Sequence, residues 1–328
     1  MKLGKFLLFG LITLQLLQNS CRSSQDSATK DALETSDPNT KTCLNQWDTN
    51  SEWSNQQEIQ ITGYSQSAME PKVSADGGVL FWNDKPAGGD TLMNIHYAVK
   101  QSDQSWLYIG TVPGTVDNAN LDGVPALDSA LNFYFISTRS YATNQQTIYG
   151  GQLGVLGVNS LAVTSVASVD SAVKNTQSGY LDMDIDISWD GQLMVVSRAF
   201  FAGNPYPETS ELTLFNVSSR QASSLANSSD ILANINSSLC RSYAGTLSDD
   251  KKELYFTIIP KTSIAGSDFR ILVAKRVSLT EPFGKPQVIS AITGSYVEGP
   301  SLTQDGKKLY FHKFDSAAGR FKIYQVSR

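Results

Sequence analysis

"DIDISWDGQLMVV" (Asp184–Val196) decides the fold. Polar and apolar residues alternate from Asp184 to Ser188, the period-2 pattern of a strand. Asp190-Gly191 follows, a dipeptide suited to a tight hairpin. Leu193–Val196 is then a continuous apolar run. The same unit recurs as "EPKVSADGGVLFW" from Glu70, "GVPALDSALNFYF" from Gly123, "AGTLSDDKKELYF" from Ala244 and "GPSLTQDGKKLYF" from Gly299. Aligned on Asp76, Ser129, Asp190, Asp250 and Asp305, the copies lie 53 to 61 residues apart. A fixed period of this size marks a repeat architecture.

Behind each copy comes a third β-type segment: "MNIHYAVK", "QTIYGGQL", "ELTLFNVS", "FRILVAKR" and "FKIYQVSR". A fourth follows in three of them: "SWLYIGTV", "LAVTSVAS" and "KPQVISAI". In the third copy it falls somewhere in Gln221–Ile235. Four strands per repeat describe propeller blades. The fifth copy stops at Arg328 after three strands, and "QEIQITGY" (Gln57–Tyr64) is a β-type segment without a blade of its own. The expectation is an all-β, five-bladed β-propeller of four-stranded blades over residues 57–328. Its blades start near residues 70, 123, 182, 242 and 297, and the N-terminal strand closes the ring, removing a free sheet edge. The paired aromatics Tyr134/Phe135, Tyr255/Phe256 and Tyr310/Phe311 recur at blade spacing and read as core between blades.

Residues 1–20 read as a signal peptide. Lys2 and Lys5 precede the apolar run Phe6–Leu17, which is too short to span a bilayer. Residues 21–56 begin at Cys21 and are rich in Ser, Thr, Asn, Asp and Gln, the composition of a flexible tether. Ser20-Cys21 resembles the end of a bacterial lipoprotein signal, although Gln18 stands where an aliphatic residue is usual. That resemblance implies lipidation of Cys21. Arg22, in place of an Asp, leans toward the outer membrane of the cell envelope. Export permits a disulfide between the remaining cysteines, Cys43 and Cys240.

The segments "VSADGGVLFW", "SWDGQLMVVS" and "LTQDGKKLYF" resemble the WD-repeat-like units of TolB-type propellers. The Pro common before Asp-Gly in those units is absent throughout, and the second copy lacks Asp-Gly. The resemblance implies a periplasmic or surface-exposed binding scaffold whose innermost strands precede the turns and line a central channel. Separately, "YVEGPSL" (Tyr296–Leu302) is similar to the segment that carries the general acid in five-bladed arabinanase- and xylosidase-like glycosidases. That similarity singles out Glu298.

The chemistry concentrates on the inner strands. Asp182, Asp184 and Asp186 alternate with apolar residues, so a regular strand places three carboxylates in a row on one face. Such a row suits a cation or ligand, with calcium as the metal to weigh. Ile187 and Leu193 stand where an EF-hand loop needs Gly and Glu, so that loop is excluded. Glycoside hydrolysis needs two carboxylates roughly 5–10 Å apart, and the candidates are Glu298, Asp184, Glu70 and Asp122. The fourth inner strand offers Arg241 and Tyr243 instead. His96 and His312 lie among apolar residues and read as packing or surface positions. Nothing supplies a nucleophile triad, a phosphate loop or Cys-x-x-Cys. A net charge of −5 argues against nucleic acid.

The leading expectation is an exported, lipid-anchored propeller. It binds a protein or other envelope component at its channel face, touches the membrane only through its lipid, and needs no cofactor. The alternative is a carbohydrate-active propeller, glycosidase-like or sugar-binding, that uses the inner-strand carboxylates.

Overall fold

The computed structural model describes residues 41–85, 92–117, 119–157, 160–169, 177–202 and 207–328. The segment read as a signal peptide, Cys21 and the first part of the expected tether lie outside them. Three short N-terminal strands come first: β1 (Asp48–Asn50), β2 (Ser54–Glu58) and β3 (Gln60–Thr62). Blade one then holds β4 (Met69–Val73), β5 (Val79–Asn83), β6 (Ile95–Lys100) and β7 (Ser105–Thr111). Blade two holds β8 (Asp122–Leu127), β9 (Asn132–Ser140), β10 (Gln146–Gly157) and β11 (Ser160–Ser168). Blade three holds β12 (Tyr180–Ile187), β13 (Leu193–Phe200), β14 (Thr209–Ser218) and β15 (Gln221–Ser224). Blade four holds β16 (Cys240–Leu247), β17 (Glu253–Pro260), β18 (Arg270–Lys275) and β19 (Gln287–Ile289). Blade five holds β20 (Ser295–Leu302), β21 (Lys308–Asp315) and β22 (Arg320–Ser327). Five sheets in a ring make a five-bladed β-propeller.

The turn signature works through hydrogen bonds. Ser74, Ser188, Ser248 and Thr303 each donate a hydroxyl to the Asp two residues on, and each accepts the N–H of the residue five on. Blade two does this differently. Asp128 occupies the Ser position, and its carboxylate accepts the N–H groups of Ala130 and Asn132, so the turn is tighter and needs no Asp-Gly. The paired aromatics split across the blade, as alternation requires. Tyr310 packs against blade one and Phe311 against blade four; Tyr255 packs against blade five and Phe256 against blade three. Each interface between blades has its own apolar cluster.

The N-terminal segment differs from its expected form. Ser54–Glu58 closes blade five against β22, but Gln60–Thr62 leaves it and pairs in parallel with β7 of blade one. Ile59 makes the crossing. It is buried between blades five and one, and its N–H donates to the Ile323 carbonyl. Asp48–Asn50 in turn adds to blade four, parallel to β19. Order therefore begins before residue 57: Cys43, Asn50 and Trp53 are buried, and a disulfide joins Cys43 to Cys240 at the start of β16. One strand was expected to fasten one blade; the segment instead fastens three.

Every inner strand carries a β-bulge near its start. The register slips between Met69 and Lys72, Gly123 and Ala126, Asp182 and Asp184, Tyr243 and Thr246, and Glu298 and Ser301. Glu70, Val124, Ala244 and Gly299 have positive φ there. A bulge leaves a backbone N–H outside the ladder, and the neighbouring blade supplies an acceptor. Val124 N–H donates to Asn83, Ala244 N–H to Ser197, and Glu70 N–H to Nδ1 of His312. The bulges re-aim the side chains at the mouth of the axial channel.

Candidate functional site

The mouth is a pocket with all five inner strands in its wall. Glu70, Asp184 and Glu298 enter it from blades one, three and five, and Arg241 and Tyr243 from blade four. Met69, Met93, Leu121, Met183, Ile264 and Phe269 make its walls apolar. Three of the four candidate carboxylates thus meet in one place.

Asp122 does not join them. It is fully buried, accepts a 2.7 Å hydrogen bond from Arg139 and takes the Asp117 N–H, while its neighbours Leu121 and Gly123 face the cavity. Its role is to hold blade two. The row of aspartates is also broken, because the bulge at Met183 interrupts the alternation. Asp182 turns onto Arg198, which donates from Nε at 2.7 Å and Nη2 at 3.1 Å. Asp186 points down the channel, where Lys72 Nζ lies 2.6 Å away and the Thr246 hydroxyl also donates to it. Lys72 is buried and sits 4.5 Å above the Trp189 ring. Only Asp184 of the three reaches the mouth.

Burial sets the electrostatics. It pushes the Glu298 carboxyl up to about 7, against a hydrogen bond from the Tyr243 hydroxyl at 2.8 Å and the positive charge of Lys85. Glu70 is raised well above the usual carboxylate range by burial, then by Asp184 and Glu298; Asp184 is raised by burial, then by Asp186 and Glu298. Lys85 is pushed down to about 8 by burial, with Glu298 opposing. Arg241 donates to the backbone carbonyls of Glu208, Lys261 and Ser263, which hold its guanidinium in the wall.

His312 is more than packing. It is fully buried, and burial lowers its pKa to about 3, so the ring is neutral. Nδ1 accepts the Glu70 N–H, so the ring proton sits on Nε2. Among the described residues Nε2 has no hydrogen-bond partner, and it lies 3.9 Å from Glu298 Oε1. Donor atoms of Glu70, Glu298 and His312 lie within 4.8 Å of one another. This is a poor nitrogen ligand for a metal, because its one lone pair is already engaged; a cation here would rest on carboxylates. His96 matches the sequence reading: it packs on Trp82 with Tyr108 at Nδ1. The sequence reading passed over Lys72 and Arg198, which neutralise Asp186 and Asp182. A lysine two residues after Glu70 on an inner strand is the one signal it offered.

Solved structures share this fold. Zg3597, a family 117 glycoside hydrolase from Zobellia galactanivorans, aligns with a TM-score of 0.53 at 11% identity, covering 84% of this chain and 90% of that one. An exo-1,5-α-L-arabinanase from a bovine ruminal metagenomic library aligns at 0.51 and 12% identity, covering 82% and 95%. TolB from Acinetobacter baumannii aligns at 0.41 and 14% identity, covering 80% of this chain and 55% of that one, so the chain spans about half of TolB's length. No protein-family model and no curated protein matches the sequence.

Proposed function

We propose that the protein is a ligand-binding propeller that takes the end of a saccharide into its axial mouth. The convergence of Glu70, Asp184 and Glu298 from three blades on one apolar-walled cavity carries this reading. Few convergent polar groups in an apolar pocket are the usual form of a small-ligand site. Carboxyls raised toward neutrality both donate and accept hydrogen bonds, which suits hydroxyl groups, while Met69, Met183 and Phe269 suit the C–H faces of a sugar ring. A thermal-shift screen with neutral, acidic and amino oligosaccharides tests it. At least one class should raise the melting temperature of the wild type and not of Glu298→Gln. No shift with any class would refute the reading.

A second reading, glycoside hydrolysis, is favoured by Glu298 itself. Its carboxyl is pushed up to about 7 and so keeps a substantial protonated fraction near neutral pH, which a general acid needs, and a carboxylate oxygen of Glu70 lies within 4.8 Å of one of its own. Chromatography of oligosaccharide digests should then show products with the wild type, and at least about 100-fold less with Glu298→Gln. Equal products from both would remove Glu298 from the chemistry.

We also infer that the chain is exported and anchored at Cys21. The Cys43–Cys240 disulfide supports export, since such bonds persist in oxidising compartments. Cys21→Ser should move the protein from the membrane to the soluble fraction; unchanged partitioning would refute anchoring.

A further inference from the structure

Most polar groups in the wall of the mouth are already engaged within the protein. Asn83 accepts the Val124 N–H at Oδ1, 2.9 Å away, and donates from Nδ2 to the Asp84 carbonyl at 3.2 Å. Arg241 donates to three backbone carbonyls, and the Tyr243 hydroxyl donates to Glu298. The carboxyls of Glu70, Asp184 and Glu298 are left to meet a ligand. They form a floor: Glu70 and Asp184 also line the channel beneath, and oxygens of Glu70 and Glu298 lie within 4.8 Å of one another. Burial raises all three, so in mild acid they meet hydroxyl groups as neutral partners.

Above that floor stands an apolar collar. Met69 and Met93 come from blade one, Leu121 from blade two, Met183 from blade three, and Ile264 and Phe269 from blade four. None of the six lines the channel beneath. Among the described residues, every other side chain in the wall of the mouth is apolar too. Three of the chain's five methionines thus meet here, and unbranched, polarisable thioethers mould themselves to apolar groups. The end unit of an ordinary hexose chain carries hydroxyls at C2, C3, C4 and C6, spread around the ring. Those turned to the floor find carboxyls. One turned to the collar gives up water without gaining a partner, which is costly. A methyl group or hydrogen at that place buries apolar surface instead.

We propose that the mouth selects a saccharide whose end unit is poor in hydroxyls, a deoxy or O-methyl sugar, with its remaining hydroxyls on the floor carboxyls and its methyl group against the methionine collar. The proposal rests on the saccharide reading above and names its ligand class. Calorimetric titration at pH 6 with matched pairs isolates the missing hydroxyl: the methyl glycosides of L-fucose and L-galactose, of L-rhamnose and L-mannose, and of D-quinovose and D-glucose. Each pair differs only in CH3 against CH2OH at C5. Cyclohexane-1,2-diol and myo-inositol, one ring with few and with many hydroxyls, are titrated alongside. In at least one pair the deoxy sugar should bind about 10-fold tighter than its parent, the scale of one hydroxyl buried without a partner. Met183→Gln gives such a hydroxyl an amide to pair with and should shrink the preference. Met69→Gln, at a half-buried position, is the second variant if the first fails to fold.

Parents that bind as tightly as their deoxy partners, or a preference unmoved by both variants, would overturn the proposal and leave the saccharide reading standing. Binding of the diol with neither inositol nor any sugar would support a mouth that selects hydroxyl-poor rings and refute the saccharide reading. Inositol binding as tightly as the diol, or no binding by any probe, would overturn the proposal.

Discussion

Replacing Lys72 with Met should be among the most damaging single changes on the channel wall. The Lys72 side chain is 3% exposed and that of Asp186 is 10% exposed, with 2.6 Å between them. Removing the ammonium strands a carboxylate with only the Thr246 hydroxyl for support, and Asp184 stands above it. Breaking a buried pair from one side costs about 3–5 kcal/mol. For a body of this size, about 2–4 °C per kcal/mol converts that to a fall in melting temperature of about 6–20 °C. Asp186→Leu in the Lys72→Met background should recover most of the loss, since an apolar pair of similar volume is often neutral or stabilising. Urea unfolding of the four proteins of the cycle measures the coupling. If Lys72→Met stays within about 1 kcal/mol of the wild type at an unchanged m-value, the ion pair does not close the channel as described.

Three further outcomes follow from the same geometry. Glu298 is raised from 4.5 to about 7 in the folded protein, so the native state holds its proton more tightly than the unfolded chain. Its contribution is full below pH 4.5 and is lost as pH rises to 7, about 3 kcal/mol in all. Denaturation across that window should show a shallower decline for Glu298→Gln, and parallel curves would contradict the assignment. Cys43→Ala/Cys240→Ala opens a loop of 197 residues, for which chain entropy gives about 5 kcal/mol as an upper figure; identical urea midpoints with and without the substitutions would refute a clasp fastened at this point. Deleting Ser54–Glu58 removes the closing strand of blade five and should abolish the single cooperative transition, whereas an unchanged melting curve would mean that closure does not depend on β2.

The blades were legible because period, turn chemistry and aromatic spacing all repeat. Even the irregular second turn keeps its place, since Asp128 does with one side chain what Ser74 and Asp76 do with two. The site was half legible. Glu70, Asp184 and Glu298 stand out because acidic residues at the start of inner strands need a reason. Asp122 and Asp182 stand out for the same pattern but are satisfied by Arg139 and Arg198, which no spacing rule connects to them. The bulges were hidden, because nothing in "YLDMDIDI" marks the slip that separates Asp182 from Asp184. The path of residues 48–62 over three blades was hidden too, since strands of three to five residues carry too little pattern to read.

The claim that the mouth is the ligand site is tested most directly by methionine oxidation. Met69, Met93 and Met183 line the cavity, and Met194, in the core between blades two and three, serves as an internal control. Limited peroxide treatment followed by peptide mass spectrometry reads each methionine separately. A saturating ligand found in the saccharide screen should slow oxidation of Met69 and the other mouth methionines several-fold and leave Met194 unchanged. If the ligand binds and Met69 oxidises at the same rate with and without it, the site lies elsewhere on the propeller.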